Sequence, residues 1–159
     1  GAWRYLIGDT IKFVNLKNFE IIITGRTKHF LSLCGEHLSV DNMNMAVQKA
    51  AAETGTLINE FTVTGESHGG LFAHRWYLGV DKITDNDILK TKLDEALKEL
   101  NDDYTTERGH ALKNIFVEQL PLEKFYTFMD TQGKLGGQNK FPRVLKGKVL
   151  EDWKDFIRK

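Results

Sequence analysis

Cysteine is nearly absent: Cys34 is the single thiol in 159 residues. That excludes an internal disulfide and a cysteine-built zinc cluster, and it fits a reducing, cytoplasmic setting. An excess of either charge is also missing, with 22 basic against 22 acidic residues and a sequence pI of about 7.1. Such a chain lacks the electrostatic footprint of a nucleic-acid binder and any polybasic run for anionic lipid. Neither nucleic acid nor membrane is therefore an expected partner. No apolar stretch approaches a membrane span, and the opening residues do not read as a signal peptide. His29, His37, His68, His74 and His110 follow no metal-ligand spacing, so no metal site is expected from them. Cys34 reads as a packed thiol rather than a nucleophile.

What is present is a core. Hydrophobic residues make up 41% and aromatics 11% of the chain, enough for one folded domain over residues 1–159 and unlike a disordered segment. The chain opens without methionine, in Gly1-Ala2-Trp3-Arg4-Tyr5-Leu6-Ile7, already dense in aromatic and apolar residues. This leads us to expect a piece of a larger protein. Residues 11–14 alternate apolar and polar, 15–18 read as a turn, and 19–24 are rich in β-branched residues. Together they predict a hairpin in region 1–28, its second strand the more buried.

Ser39 and Asp41 are both N-cap candidates for a helix reaching about Glu53, with Met43, Ala46, Val47, Ala50 and Ala51 on one face and Gly55 as its stop. Residues 58–64 and 72–80 form the clearest hairpin, with the turn in 65–70. Thr84-x-x-Asp87 resembles a capping box for a helix to Leu100 with Leu89, Leu93, Ala96, Leu97 and Leu100 as its apolar stripe. Residues 101–109 are polar and partly helical. A strand at 114–119, a helix at 122–131 behind Pro121, and a basic loop and tail at 133–159 with an amphipathic segment at 150–157 complete the chain. The Met43/Met45 and Phe125/Phe128/Met129 clusters read as core. The predicted class is α+β: a ferredoxin-like βαββαβ order preceded by a β-hairpin, with two helices over one face of a mostly antiparallel sheet.

Three stretches carry candidate chemistry. Gly8-Asp9 sets a carboxylate at a strand-entry turn, where it can accept hydrogen bonds from a vicinal diol such as ribose. Gly25-Arg26-Thr27-Lys28 follows a strand; Arg26 offers a fork of donors to ribose or phosphate, and Lys28 stands where the chain leaves a sheet, a natural hinge. Gly136-Gly137-Gln138-Asn139-Lys140-Phe141-Pro142-Arg143, followed by Lys146-Gly147-Lys148, is a glycine-rich basic segment that brings point charge to a phosphate, although the Walker pattern is absent. Alone, each of the first two is more simply a polar turn, and the third is as readily a solvated loop.

In order, the three resemble a known family. Trp3-Arg4-Tyr5-Leu6-Ile7-Gly8-Asp9 is similar to the Y-R-x-G-D region of the adenylate-forming (acyl-CoA synthetase and firefly luciferase-like) superfamily. Gly25-Arg26-Thr27-Lys28 through Gly35-Glu36-His37-Leu38 resembles its hinge motif, and Pro142-Arg143-Val144-Leu145-Lys146-Gly147-Lys148 its closing P-x-x-x-x-G-K motif. The nearest likeness is to the C-terminal domain of the auxin-responsive (Gretchen Hagen) acyl-acid amido synthetases and their bacterial relatives. Gly8-Asp9-Thr10-Ile11, Arg26-Thr27-Lys28-His29-Phe30, Phe128-Met129-Asp130 and Gln138-Asn139-Lys140-Phe141-Pro142-Arg143 carry it.

The resemblance implies ATP and Mg²⁺ as cofactors, held mainly by a large N-terminal adenylation domain that would be this chain's partner. A carboxylic acid would form acyl-AMP, and an amine or amino acid would then take the acyl group. Asp9 would bind the ribose hydroxyls and Arg26 would support that contact. Lys28 would be the hinge, and Gly35 would lie on the loop facing the acyl group during transfer. The adenylation lysine is Lys148 by the superfamily pattern and Lys140 by the amido synthetase pattern; the closer family favours Lys140. On this reading the chain alone is inactive. The rival readings are an acyl-CoA ligase and a non-catalytic ferredoxin-like interaction module.

Overall fold

The computed structural model of the protein describes residues 9–26, 30–133 and 140–159. β1 (Asp9–Asn15) and β2 (Glu20–Arg26) form an antiparallel hairpin of their own. Its turn is closed by Asn15, whose side-chain oxygen accepts from the N–H groups of Lys17 and Asn18. Ile11 stands opposite Ile23 and Phe13 opposite Ile21, the cross-strand apolar pairs that stabilise a ladder. The expectation of a buried second strand does not hold: Ile21, Ile22 and Ile23 are 48–68% exposed. Among the described residues β2 pairs with β1 alone and takes no place in the main sheet.

A second, very short pair, β3 (Phe30–Leu31) and β4 (Leu38–Ser39), leads into α1 (Val40–Thr54). Of the two N-cap candidates Ser39 does the capping. It accepts from the Asn42 N–H while the Asn42 side chain accepts from the Ser39 N–H, a reciprocal box. Gly55 ends the helix at φ 63°.

β5 (Ile58–His68) and β6 (Leu71–Val80) pair antiparallel through a two-residue turn, Gly69 and Gly70, at φ 58° and 78°. Both positive φ values match the twist of the flanking strands, and so β5 runs four residues past the expected 64. α2 (Asn86–Leu100) is capped by Asp85, not Thr84, because Thr84 is held by Gln119 and Thr56. α3 (Asp102–Gly109) follows, and β7 (Leu112–Pro121) returns parallel to β6. α4 (Leu122–Thr131) and α5 (Gly147–Ile157) complete the chain.

The α+β class holds, with antiparallel ladders in β1–β2, β3–β4 and β5–β6 and a parallel one in β6–β7. The α-β-β-α-β part of the expected order is seen from α1 to β7, whereas the strand meant to precede it belongs to the separate hairpin. Helices also cover both faces of the three-stranded sheet, not one. Trp76, Leu78 and Val80 of β6 point into a core with Met43, Val47, Leu89, Leu93 and Leu97 of α1 and α2. Tyr77, between them, faces Phe125, Phe128 and Trp153 of α4 and α5. Trp76 to Val80 are all buried, and a strand apolar on both sides must be covered on both. Within the second core the rings of Phe125, Phe128 and Phe141 lie 5.0, 5.1 and 5.2 Å from Trp153, each contact worth about 1 kcal/mol beyond its buried area. Met43 is core as expected. Met45 is 48% exposed, because two residues on along a helix is the opposite face.

Candidate functional site

The first candidate pair meets at the open end of the hairpin. Backbone register sets Asp9 directly opposite Arg26, so the two residues singled out from separate motifs share one rung. Lys28 lies outside the described residues, as do residues 1–8, with Gly8, and the 134–139 part of the glycine-rich loop.

The basic segment is anchored along the free edge of β5. Val63 donates its N–H to the Arg143 carbonyl and accepts from the Leu145 N–H, both at 2.9 Å, so that Val144 forms a parallel bridge with Val63. The Thr62 hydroxyl donates to the Pro142 carbonyl at 2.7 Å. Arg143 donates to Glu60 at 2.6 Å and to the Phe61 carbonyl, with its guanidinium 4.3 Å above the Phe61 ring. Phe141 is sunk into the second core. These contacts cover an edge that would otherwise present unpaired backbone groups.

They also fix what flanks them. Lys140 and Lys146, exposed at either end of the anchored stretch, line one cavity of about 430 Å³ with Phe30, Arg143 and Val149. Arg143 spends its charge on Glu60, which leaves the two lysines as the unpaired cations of this cavity among the described residues. The first turn of α5, beginning at Gly147, has no side-chain cap, so its N–H groups add to the attraction for an anion. Lys148 sits in that turn, exposed, and is not among the lining residues. Phe30 comes from β3, far from the basic segment in sequence, so the fold brings the two together.

Gly35 lies at φ 124°, a conformation that favours glycine, in the turn between β3 and β4. His37 follows at φ 39°. A Cβ on Gly35 would meet Glu107 of α3 at 3.4 Å, so the backbone angle, not crowding, demands glycine here. Sequence reasoning missed the side chains that shape this turn. Glu36 is buried and folds back to accept from the Leu33 N–H at 2.9 Å and the Cys34 N–H at 3.0 Å. From the sheet, buried His74 brings its Nε2 to 2.8 Å from Glu36 Oε1. Burial pushes the Glu36 carboxyl up, but the bonds from His74, Cys34 and Leu33 outweigh it and hold the group at about 2. An ionised carboxylate accepts only, so Nε2 carries the imidazole hydrogen. Nδ1 has no partner among the described residues. The signal available beforehand was a glutamate wedged between glycine and histidine, which no spacing rule connects to a histidine 38 positions away.

Burial, then the Glu36 and Glu107 charges, push the Cys34 thiol up to about 12, in keeping with a packed thiol. Among the described residues no group of three His, Cys, Asp or Glu side chains is placed to hold a metal ion, and no helix is long and apolar enough to cross a membrane.

No curated protein sequence matches the chain. Among solved structures it is similar to "GH3.15 acyl acid amido synthetase", with a TM-score of 0.74 and 18% identity over 94% of this chain. A second, titled "AtGH3.15 acyl acid amido synthetase in complex with 2,4-DB", gives 0.72 and 19% over the same share. At that identity these likenesses speak for the fold. The chain spans about 30% of the length of those proteins. Residues 41–148, from the second residue of α1 to the second of α5, match the profile of the "GH3 family C-terminal domain". The chain therefore belongs to the GH3 family, and what it contains is that family's C-terminal domain.

Proposed function

We propose that this domain is the mobile C-terminal part of an ATP-dependent acyl-acid amido synthetase. The observation that carries the reading is the family match over residues 41–148, together with a shared fold over 94% of the chain. In the first half-reaction a carboxylate oxygen attacks the α-phosphorus of ATP, giving acyl-AMP and pyrophosphate. In the second, an amine, typically of an amino acid, attacks the acyl carbon, forms the amide and releases AMP.

Asp9 accepts from the ribose hydroxyls, with Arg26 on the facing rung in support. Lys140 offsets the charge that builds on the α-phosphate as pyrophosphate leaves. Its place in the cavity beside Lys146 and the uncapped turn of α5 favours it over Lys148 for this role. Lys28 serves as the pivot and Gly35 sits on the loop turned toward the acyl group during transfer. Mg²⁺ would accompany ATP. Its ligands would come mainly from the large adenylation domain.

The partner of this chain is the adenylation domain of the same enzyme, since the similar structures are about three times as long. The hairpin supports this: Ile11, Phe13, Ile21 and Ile23 line one face and are all at least 48% exposed, an apolar surface that a neighbouring domain would cover. A cytoplasmic location fits substrates such as ATP and amino acids.

The test is pyrophosphate exchange in the full-length enzyme. Lys140→Ala should lower it by about a hundredfold or more and Lys148→Ala much less. Exchange that survives loss of Lys140 would reassign the lysine. Free amino acids against coenzyme A as acceptors separates an amido synthetase from an acyl-CoA ligase. The isolated chain should form no amide, because both reactants need the missing domain for positioning.

A further inference from the structure

Glu36 and His74 have no exposed surface and no role in the two half-reactions as described above. Removing a carboxylate from water is costly unless its oxygens are fully engaged, and apolar side chains would fill the same space without that cost. What the carboxylate does, which a leucine would not, is bond the backbone. It accepts from two consecutive amides, Leu33 and Cys34, immediately before Gly35, and so constrains the turn in which φ is 124° at Gly35 and 39° at His37. The His37 angle is a strained one for a residue with a side chain, and such positions persist where surrounding contacts over-determine them.

The constraint is referred to the rigid part of the molecule. His74 lies on β6, the central strand, between β5 and β7, and its ring sits 5.9 Å from the Tyr104 ring of α3. A second tether comes from Gly65 of β5. A Cβ there would fall 2.2 Å from Leu33 Cδ2, so the absence of a side chain is what lets Leu33 seat against the sheet. Leu31 and Leu38, flanking the turn, are fully buried.

We propose that Glu36 and His74 are positioning residues for amide formation: joined by the hydrogen bond between His74 Nε2 and Glu36 Oε1, they lock the Leu33–Gly35 backbone in the arrangement in which the Gly35 loop meets the acyl group. This rests on the reading of that loop as the transfer face. The pair acts through the loop backbone and touches neither reactant. Adenylation, which uses the hairpin end and the basic segment, does not depend on it.

The experiment measures both half-reactions in the full-length enzyme carrying Glu36→Gln, His74→Leu or His74→Gln. Glu36→Gln and His74→Leu should slow single-turnover amide formation from acyl-AMP by at least about tenfold, since small misplacement near reacting groups is costly. Pyrophosphate exchange should stay within about twofold. His74→Gln, which retains an N–H for Glu36, should recover most of the transfer rate. Gly65→Ala displaces Leu33 while leaving the Glu36 and His74 side chains chemically unchanged, and should reproduce the selective loss, which keeps the test alive where a charge variant fails to fold. A parallel fall of both half-reactions, or no fall in transfer, overturns the proposal. If the wild-type enzyme forms no amide from any amino acid, the family reading is what fails. Hydrogen exchange then judges the lock alone. The Leu33 and Cys34 amides should exchange at least about tenfold faster in Glu36→Gln while β5 to β7 stay protected, and unchanged protection overturns it.

Discussion

Replacing Glu36 by glutamine should weaken this domain by about 3 kcal/mol at pH 7, and the weakening should vanish in acid. The drop of the Glu36 carboxyl from its ordinary 4.5 to about 2 in the folded chain is worth about 3 kcal/mol. The contacts account for it. The ionised group takes charge-assisted bonds from His74 Nε2 and from the Leu33 and Cys34 amides, at 2.8 to 3.0 Å. Glutamine keeps one oxygen for the amides but turns its NH₂ toward His74. The imidazole must then accept at Nε2 and carry its hydrogen on Nδ1, which is buried and has no partner among the described residues. A folded value below the unfolded one stabilises above pH 4.5, and the contribution is lost as pH falls from about 4.5 to about 2. Urea unfolding of wild type and variant at pH 7, 4 and 2.5 reads this directly, because the other carboxylates titrate in both proteins and cancel in the difference. Curves that converge toward pH 2 agree with the argument. A stability difference that is the same at every pH would refute it, since the loss would then come from shape and not charge.

Other substitutions probe the contacts that hold the loop and the basic segment. Gly65→Ala should cost about 1–3 kcal/mol by pushing Leu33 off its seat, and most of that cost should disappear in a Leu33→Ala background, as a double-mutant cycle would show. Phe141→Ala removes a ring packed among Phe125, Phe128 and Trp153 and should cost about 3–5 kcal/mol in thermal or denaturant unfolding. If Lys140 serves adenylation as proposed, it should also reduce pyrophosphate exchange in the full-length enzyme, because Phe141 is the buried neighbour that anchors Lys140. Cys34, with its thiol pushed up to about 12 by burial and by Glu36 and Glu107, should react with iodoacetamide at pH 8 at least about tenfold more slowly than a free thiol; modification at the ordinary rate would contradict its surroundings.

Much of this protein was legible in the chain because much of it is local. The Ser39 cap, the Gly55 stop, the apolar stripe of α2 and the helix after Pro121 each depend on chemistry within a few residues, and each lies where it was read. Thr84 against Asp85 shows the margin. Both residue types cap helices, and only the tertiary contact from Gln119 decides that Thr84 is already engaged. The family was legible too, since it is carried by residue order along the chain.

What the sequence left open is what depends on closing long loops. Nothing near residues 20–26 says that, among the described residues, this β-branched strand pairs with β1 alone and leaves its isoleucines exposed. Nothing near β6 says that a second pair of helices covers its other face, although the unbroken apolar run from Trp76 to Leu78 is consistent with it. Lys140 and Lys148 each fit a motif, with the closer family favouring Lys140. That Lys140 lines a cavity and Lys148 does not was not legible, because it depends on Arg143 reaching Glu60, 83 positions away, and seating the segment on β5. The Gly35 turn is the sharpest case. Its glycine was visible at once, but Glu36 and His74 meet across 38 positions, and a carboxylate finds its partner through the fold rather than through its neighbours in sequence.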